Sequence, residues 1–93
     1  MINFVRAEEI ALSYLHDMEL QVELPLKFVE VLEVPAGWVF SYNATAYVDD
    51  GEINCALVGN APLIVDRYSE QVHVFGTAHP VAYYVDEYQK KGS

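Results

Sequence analysis

Three histidines and one cysteine are the residues of this chain best suited to bind a metal ion: His16, His73, His79 and Cys55. They lie far apart in the sequence, and none has the spacing to another histidine, to the cysteine or to an acid that is typical of a metal site. Cys55 is followed by apolar residues at 56–58, which favours a small buried hydrophobic side chain over a reactive thiol. We therefore predict neither a metal nor another cofactor.

The remaining polar clusters do not form a catalytic motif. The acidic stretch 49–52 resembles a fragment of a calcium loop but lacks its spaced ligands and its terminal glutamate. Residues 59–62 contain one glycine and are not followed by the lysine of a phosphate-binding loop. Ser13, Ser41 and Ser69 lie in no nucleophile motif. We predict a non-catalytic protein, with a small enzyme of an unrecognised type as an open alternative.

The charge balance is strongly acidic, with fourteen Asp and Glu against five Lys and Arg, and a formal net charge of −9. Five scattered cations cannot build the basic face that phosphate binding requires, so nucleic acid is excluded as a partner. A basic protein is the favoured partner class. The alternative interpretation is that the acids only keep a small protein soluble.

Ninety-three residues predict one domain, 1–93, with a single core. No apolar run approaches the roughly 18 residues of a membrane span, so no membrane association is predicted. The first twenty residues carry four acids, which is untypical of a targeting peptide, and we expect a cytoplasmic location.

The elements of this domain are organised around an aromatic strand at 37–47, in which Trp38, Phe40 and Tyr42 recur with period two. An amphipathic helix capped by Asn3 precedes it, and a second helix follows Pro80. Three further strands are predicted at 27–34, 63–67 and 71–75. The expected fold is α+β, a single four-stranded antiparallel meander with an N-terminal and a C-terminal helix packed on one face, over the aromatic rings.

This arrangement would leave the opposite face of the sheet open. The residues expected on the open face are Val39, Ser41, Asn43, His73 and Phe75. An apolar patch among polar neighbours often marks a contact surface, so the open face is predicted to bind a partner or to form a homodimer.

The sequence also resembles the immunity protein 35 family, or YrhB-like domain, of bacterial polymorphic toxin systems. The resemblance lies in ordered segments at similar spacing, which cover about half of the chain: 37–40 with Tyr42, Tyr47, 56–67, and 76–80 with Tyr84 and Tyr88.

The resemblance implies a non-catalytic antidote that binds and neutralises a cognate toxin domain, here a basic one given the charge. The alternative it leaves open is a heat-stable, chaperone-like protein that binds unfolded clients. The predicted partner-binding residues combine surface acids with possible anchors and are Tyr47, Asp49, Asp50, Glu52, Asp66, Glu70, His73 and Phe75.

Overall fold

The computed structural model describes residues 1–51 and 61–91. In this part of the chain three helices accompany one four-stranded sheet. The elements, in chain order, are α1 Phe4–Val22, β1 Leu26–Val34, β2 Gly37–Ala44, α2 Thr45–Asp50, β3 Leu63–Asp66, β4 Val72–Val74 and α3 Val81–Lys90.

α1 begins and ends as its sequence predicts. The Asn3 side chain accepts a hydrogen bond from the backbone N–H of Arg6 at 3.0 Å, which satisfies one of the free donors of the first turn. The helix ends at Glu23, whose backbone is left-handed and donates to the carbonyl of Glu19. Ala7 and Ala11 are fully buried, and their small size lets the helix approach the sheet closely.

The sheet has the predicted meander order β1-β2-β3-β4, and every neighbouring pair is antiparallel. Pro35 and Ala36 connect β1 to β2, so the predicted first hairpin is confirmed. The predicted second hairpin is also confirmed, because Val65 pairs with Val72 across a tight turn. The fold class is therefore α+β, as expected.

The aromatic side of β2 packs against α1. Trp38 and Phe40 form one core cluster with Ala7, Ala11 and the β3 side chains that point the same way. Tyr42 belongs to a second core cluster, which includes Leu15 in the C-terminal half of α1. Trp38, Phe40 and Tyr42 are at most 4% exposed, so their predicted burial is confirmed.

The predicted position of the closing helix is wrong, because α3 packs on the face opposite α1. Val39 and Ile64 point away from the aromatic rings and are buried with Val85 of α3 and with Phe75. The physical reason lies in β3, which is apolar at successive positions and must be covered on both faces. No open face therefore carries Val39 and Phe75, which are 2% and 3% exposed.

Three smaller differences concern element boundaries. The aromatic strand ends at Ala44, and the next residues form the unpredicted short helix α2. β4 is shorter than predicted, and Pro80 lies at the N-cap of α3 instead of in its first turn.

Two further expectations concern burial and the membrane. Cys55, which was expected to be buried, lies outside the described residues. Within the described ranges, no helix is both long and apolar enough to cross a membrane.

Candidate partner-binding surfaces

The predicted acidic residues lie at two ends of the sheet and not in one patch. Asp49 of α2 accepts a hydrogen bond from the Lys27 ammonium at 2.7 Å, near the end of β2 at Ala44. Glu70 pairs with Arg6 at 3.1 Å, near the end of β2 at Gly37. An eight-residue strand spans about 25 Å, so these exposed carboxylates cannot contact one small feature of a partner together. The side chains of Tyr47 and Asp50, and the whole of Glu52, lie outside the described part.

Asp66 is a buried structural residue, only 2% exposed. Its Oδ1 accepts hydrogen bonds from the backbone N–H groups of Tyr68 at 2.8 Å and Ser69 at 3.0 Å, which holds the turn between β3 and β4. Its Oδ2 accepts from the Tyr88 hydroxyl at 2.6 Å, which ties α3 to the sheet. Asp66 is thus not one of the surface charges with which the sequence analysis grouped it.

These contacts change the ionisation of both partners. Burial by itself raises the pKa of the Asp66 carboxyl, but the hydrogen bonds from Tyr88, Ser69 and Tyr68 outweigh it and hold this pKa below its ordinary value. Burial, together with the hydrogen bond to Asp66 and its negative charge, raises the pKa of Tyr88 to about 12. The neutral phenol and the ionised carboxylate therefore stabilise the fold over a wide range of pH.

Replacing Tyr88 with phenylalanine is expected to lower the free energy of unfolding by about 1.5–3 kcal/mol at neutral pH, because a hydrogen bond to a charged group is lost. The depressed pKa of Asp66 gives stability that is present above about pH 4 and is lost as pH falls through the folded pKa. The raised pKa of Tyr88 gives stability that is present below about pH 10 and is lost between about pH 10 and pH 12. The deficit of the variant should therefore shrink at both extremes.

Urea unfolding of both proteins at pH 3, 7 and 11 measures this difference. Tyr83→Phe is the matched control, since Tyr83 is 47% exposed on another side of α3 and should tolerate the loss of its hydroxyl at every pH. A deficit for Tyr88→Phe that is the same at all three values would show that the bond to Asp66 is not its source.

An aromatic groove with a volume of about 270 Å³ lies between one face of α3 and the end of β4. On the sheet side it is lined by His73 of β4 and by Phe75, which directly follows that strand; the two share a face because they are two residues apart. On the helix side the lining residues are spaced by three and four and share one face: Tyr84, Glu87 and Tyr88 of α3 and its C-cap residue Lys91. Phe75 forms the buried floor, while His73 stands exposed at the rim.

The rings of this aromatic groove are arranged around Phe75. Its ring is stacked with Tyr84, with centroids 5.8 Å apart and planes inclined by 17°, and meets Tyr88 edge to face at 6.3 Å. His73 lies 5.4 Å from Tyr88. His73 and Phe75 were predicted to bind a partner, whereas Tyr84 and Tyr88 were predicted only as part of an apolar helix stripe. The i, i+4 spacing of the two tyrosines was the available signal that both could face one site.

The aromatic groove has side chains that are suited to binding a group of a partner. Among residues 1–51 and 61–91, no cluster of three or more His, Cys, Asp or Glu could hold a metal ion. The aromatic groove offers ring faces, one carboxylate and one ammonium, which can recognise a side chain of a partner by stacking and charge.

Comparison with known proteins supports the resemblance read from the sequence. The family model described as Immunity protein 35 matches residues 6–90. The protein called Uncharacterized protein YrhB, from Escherichia coli strain K12, is 34% identical over 93 residues, which cover 98% of this chain and 93% of that protein. No solved structure matched the chain. A family match across nearly the whole domain, together with this level of identity, means that the chain belongs to the immunity protein 35 family.

Proposed function

We propose that this chain is a non-catalytic immunity protein that binds a cognate toxin domain in the bacterial cytoplasm and neutralises it. The observation that carries the proposal is the family match over residues 6–90, which includes all but the first two residues of α1, the whole described sheet and α3. An antidote of this kind acts by occupying a surface of the toxin, so its chemistry is that of a protein interface. The partner is accordingly a protein, and the chain needs no cofactor for this role.

The charge of −9 supports a basic toxin domain as the partner. Opposite charge raises the rate of encounter between two proteins more than it raises the final affinity. Asp49 and Glu70 are engaged in ion pairs with Lys27 and Arg6, but both pairs are exposed. Exposed pairs contribute at most about 1 kcal/mol, so these carboxylates can exchange their cations for those of a partner.

Association with the proposed cognate toxin domain is expected to slow at least about tenfold as salt is raised from low to high concentration, since ions screen the steering charges. The triple variant Asp49→Asn, Asp50→Asn and Glu52→Gln should lower the association rate much more than it raises the dissociation rate. Stopped-flow mixing at two salt concentrations measures both rates.

A control variant separates local from overall charge. Glu8→Gln, Glu9→Gln and Asp17→Asn on the exposed side of α1 also bring the net charge from −9 to −6. If the acids at 49–52 steer the toxin, the control slows association less than the triple variant does. If the association rate changes with neither the salt concentration nor the triple substitution, the acids serve solubility alone. If the toxin does not bind at all, the immunity function itself is contradicted.

A second candidate function, chaperone-like client binding, is favoured by β1. This strand is an outer strand of the described sheet, and Val29, Val31 and Leu32 are 40–51% exposed along it. Exposed apolar side chains on a strand edge can hold unfolded segments. Light scattering from a heated model client measures whether the protein suppresses aggregation of that client. Suppression that is lost in Leu32→Lys would support client binding by β1, and an absence of suppression would remove this second function.

The possible homodimer must also use β1 or another exposed surface. Of Val39, His73 and Phe75, for which the contact was predicted, Val39 and Phe75 are buried beneath α3, whereas His73 is exposed. Pairing of two β1 edges would hydrogen-bond their outer backbone groups, but it would also bring two chains of charge −9 together. Sedimentation at low and high salt tests this arrangement, since a dimer of this kind should form more readily at high salt.

A further inference from the structure

The aromatic groove has the rings of a site for a cation. Phe75 is stacked on Tyr84 and buried, and Tyr88 and His73 stand at an angle to Phe75. Aromatic faces carry negative electrostatic potential, and a cation within about 6 Å of a ring centre is attracted to it. The ring surface that a partner can reach therefore belongs to the half-buried Tyr84 and Tyr88 and to His73 at the rim.

The charges around the groove reinforce this preference. Glu87 places a carboxylate in its lining. Glu87 and Tyr88 belong to the last turn of α3, where the carbonyl groups give the helix a negative end. The Tyr88 hydroxyl donates to the Asp66 carboxylate, which polarises the phenol and increases the electron density of its ring.

We propose that the aromatic groove is a receptor for the guanidinium group of an arginine on the surface of a partner protein. The guanidinium stacks on Tyr84 and Tyr88 and donates hydrogen bonds to the Glu87 carboxylate, the combination of contacts for which arginine is better suited than lysine. The choice of a toxin as the carrier of this arginine rests on the proposed function. The preference of the groove for a guanidinium rests only on its own rings and charges.

Lys91 gives the proposal a distinctive consequence. Its side chain also lines the groove and is the cation already present there. An incoming guanidinium meets repulsion from this ammonium. Removing the charge of Lys91 should therefore strengthen binding, whereas removing the charge of Glu87 should weaken it.

The test is a nuclear magnetic resonance titration of the full chain with acetyl-arginine amide. Acetyl-citrulline amide is the matched probe, because it has nearly the same planar shape but is uncharged, with a carbonyl oxygen in place of one guanidinium nitrogen. Arginine is expected to shift the ring signals of Phe75, Tyr84 and Tyr88 in a saturable way, and citrulline is expected to bind at least about fivefold more weakly. Equal shifts from both probes, or none from arginine, would overturn the proposal.

Three single variants test the assignment of charges. Glu87→Gln should weaken arginine binding about two- to fivefold, and Lys91→Gln should strengthen it by a similar factor. Glu8→Gln makes the same change of net charge on α1 and should leave binding unchanged. All three positions tolerate polar side chains, so folding, checked by the amide spectrum, is expected to persist. If Glu87→Gln and Glu8→Gln behave alike, the groove is not the binding site.

Tyr88→Leu removes a ring while keeping an apolar side chain, and it should abolish most of the arginine response in protein that remains folded. The result is independent of whether the toxin binds. Arginine binding without toxin binding would retain the receptor and remove the proposed function. If the groove does not bind arginine, and the toxin still binds with an affinity that Glu87→Gln and Lys91→Gln leave unchanged, the proposed function is retained and the receptor is removed.

Discussion

Replacing Trp38 with alanine is expected to lower the free energy of unfolding by about 3–5 kcal/mol, because it opens a large cavity in the core. The indole is 4% exposed and lies beneath α1, where the Phe4 ring meets it edge to face at 6.4 Å. The Arg67 guanidinium lies 4.4 Å from its centre and is also bonded to Glu33 and to the Val34 carbonyl. The variant therefore loses core packing and also the contact between the indole and Arg67, whose hydrogen bonds connect the end of β3 to β1.

Chemical denaturation monitored by far-ultraviolet circular dichroism measures this loss. Tyr68→Ala is the control, since it removes another large aromatic side chain that is 64% exposed and should change stability by less than about 0.5 kcal/mol. A loss below about 1 kcal/mol for Trp38→Ala would place the indole at the surface and contradict the packing of α1 on β2.

Replacing Gly37 with alanine is expected to destabilise the protein by more than about 3 kcal/mol, through overpacking and a strained backbone. Gly37 has a φ of 157° and pairs with Val34 on one side and Asp66 on the other. A Cβ atom at this position would lie 2.0 Å from the Val65 carbonyl oxygen. That oxygen belongs to a central strand and cannot move without breaking the pairing of β2 with β3.

Gly51→Ala separates the two causes. Gly51 has a φ of 71°, but a Cβ atom there would meet no atom within 4 Å. It should therefore show only the cost of a left-handed backbone, about 1–2 kcal/mol. Thermal and urea unfolding of the two variants compare them directly, and equal losses would show that the approach of β3 to Gly37 is not the source of the constraint.

The proposed receptor and the stability of the domain depend on the same helix. α3 contributes Val85 to the core, donates the Tyr88 hydroxyl to Asp66 and accepts, through the Gln89 side chain, a hydrogen bond from the Ala36 N–H at 3.2 Å. These contacts hold the C-terminal half of α3 firmly against the sheet. A groove built on such a helix is preorganised, so a partner side chain would bind with little loss of conformational freedom.

Local pattern was sufficient for most of the elements. Asn3 and the break at Leu24 and Pro25 defined α1, because capping and proline geometry act over a few residues. The period of two in Trp38, Phe40 and Tyr42 predicted a strand with one aromatic face, and the short turns predicted its antiparallel neighbours. The same period placed His73 and Phe75 on one face, so two of the six residues that line the aromatic groove could be predicted from the sequence.

The side of the sheet on which each helix packs was decided only by the tertiary structure. An apolar stripe predicts that one side of a helix is buried, but it does not predict which face of the sheet buries it. Both faces of β3 are apolar, through Leu63, Ile64 and Val65, so either face could accept a helix. α3 took the face opposite α1, which buried Phe75 and brought Tyr84 and Tyr88 to it. The sequence alone thus determined the two long helices, the meander and the acidic charge, whereas the aromatic groove exists because contacts between residues far apart in the chain placed α3 on one of the two faces of the sheet.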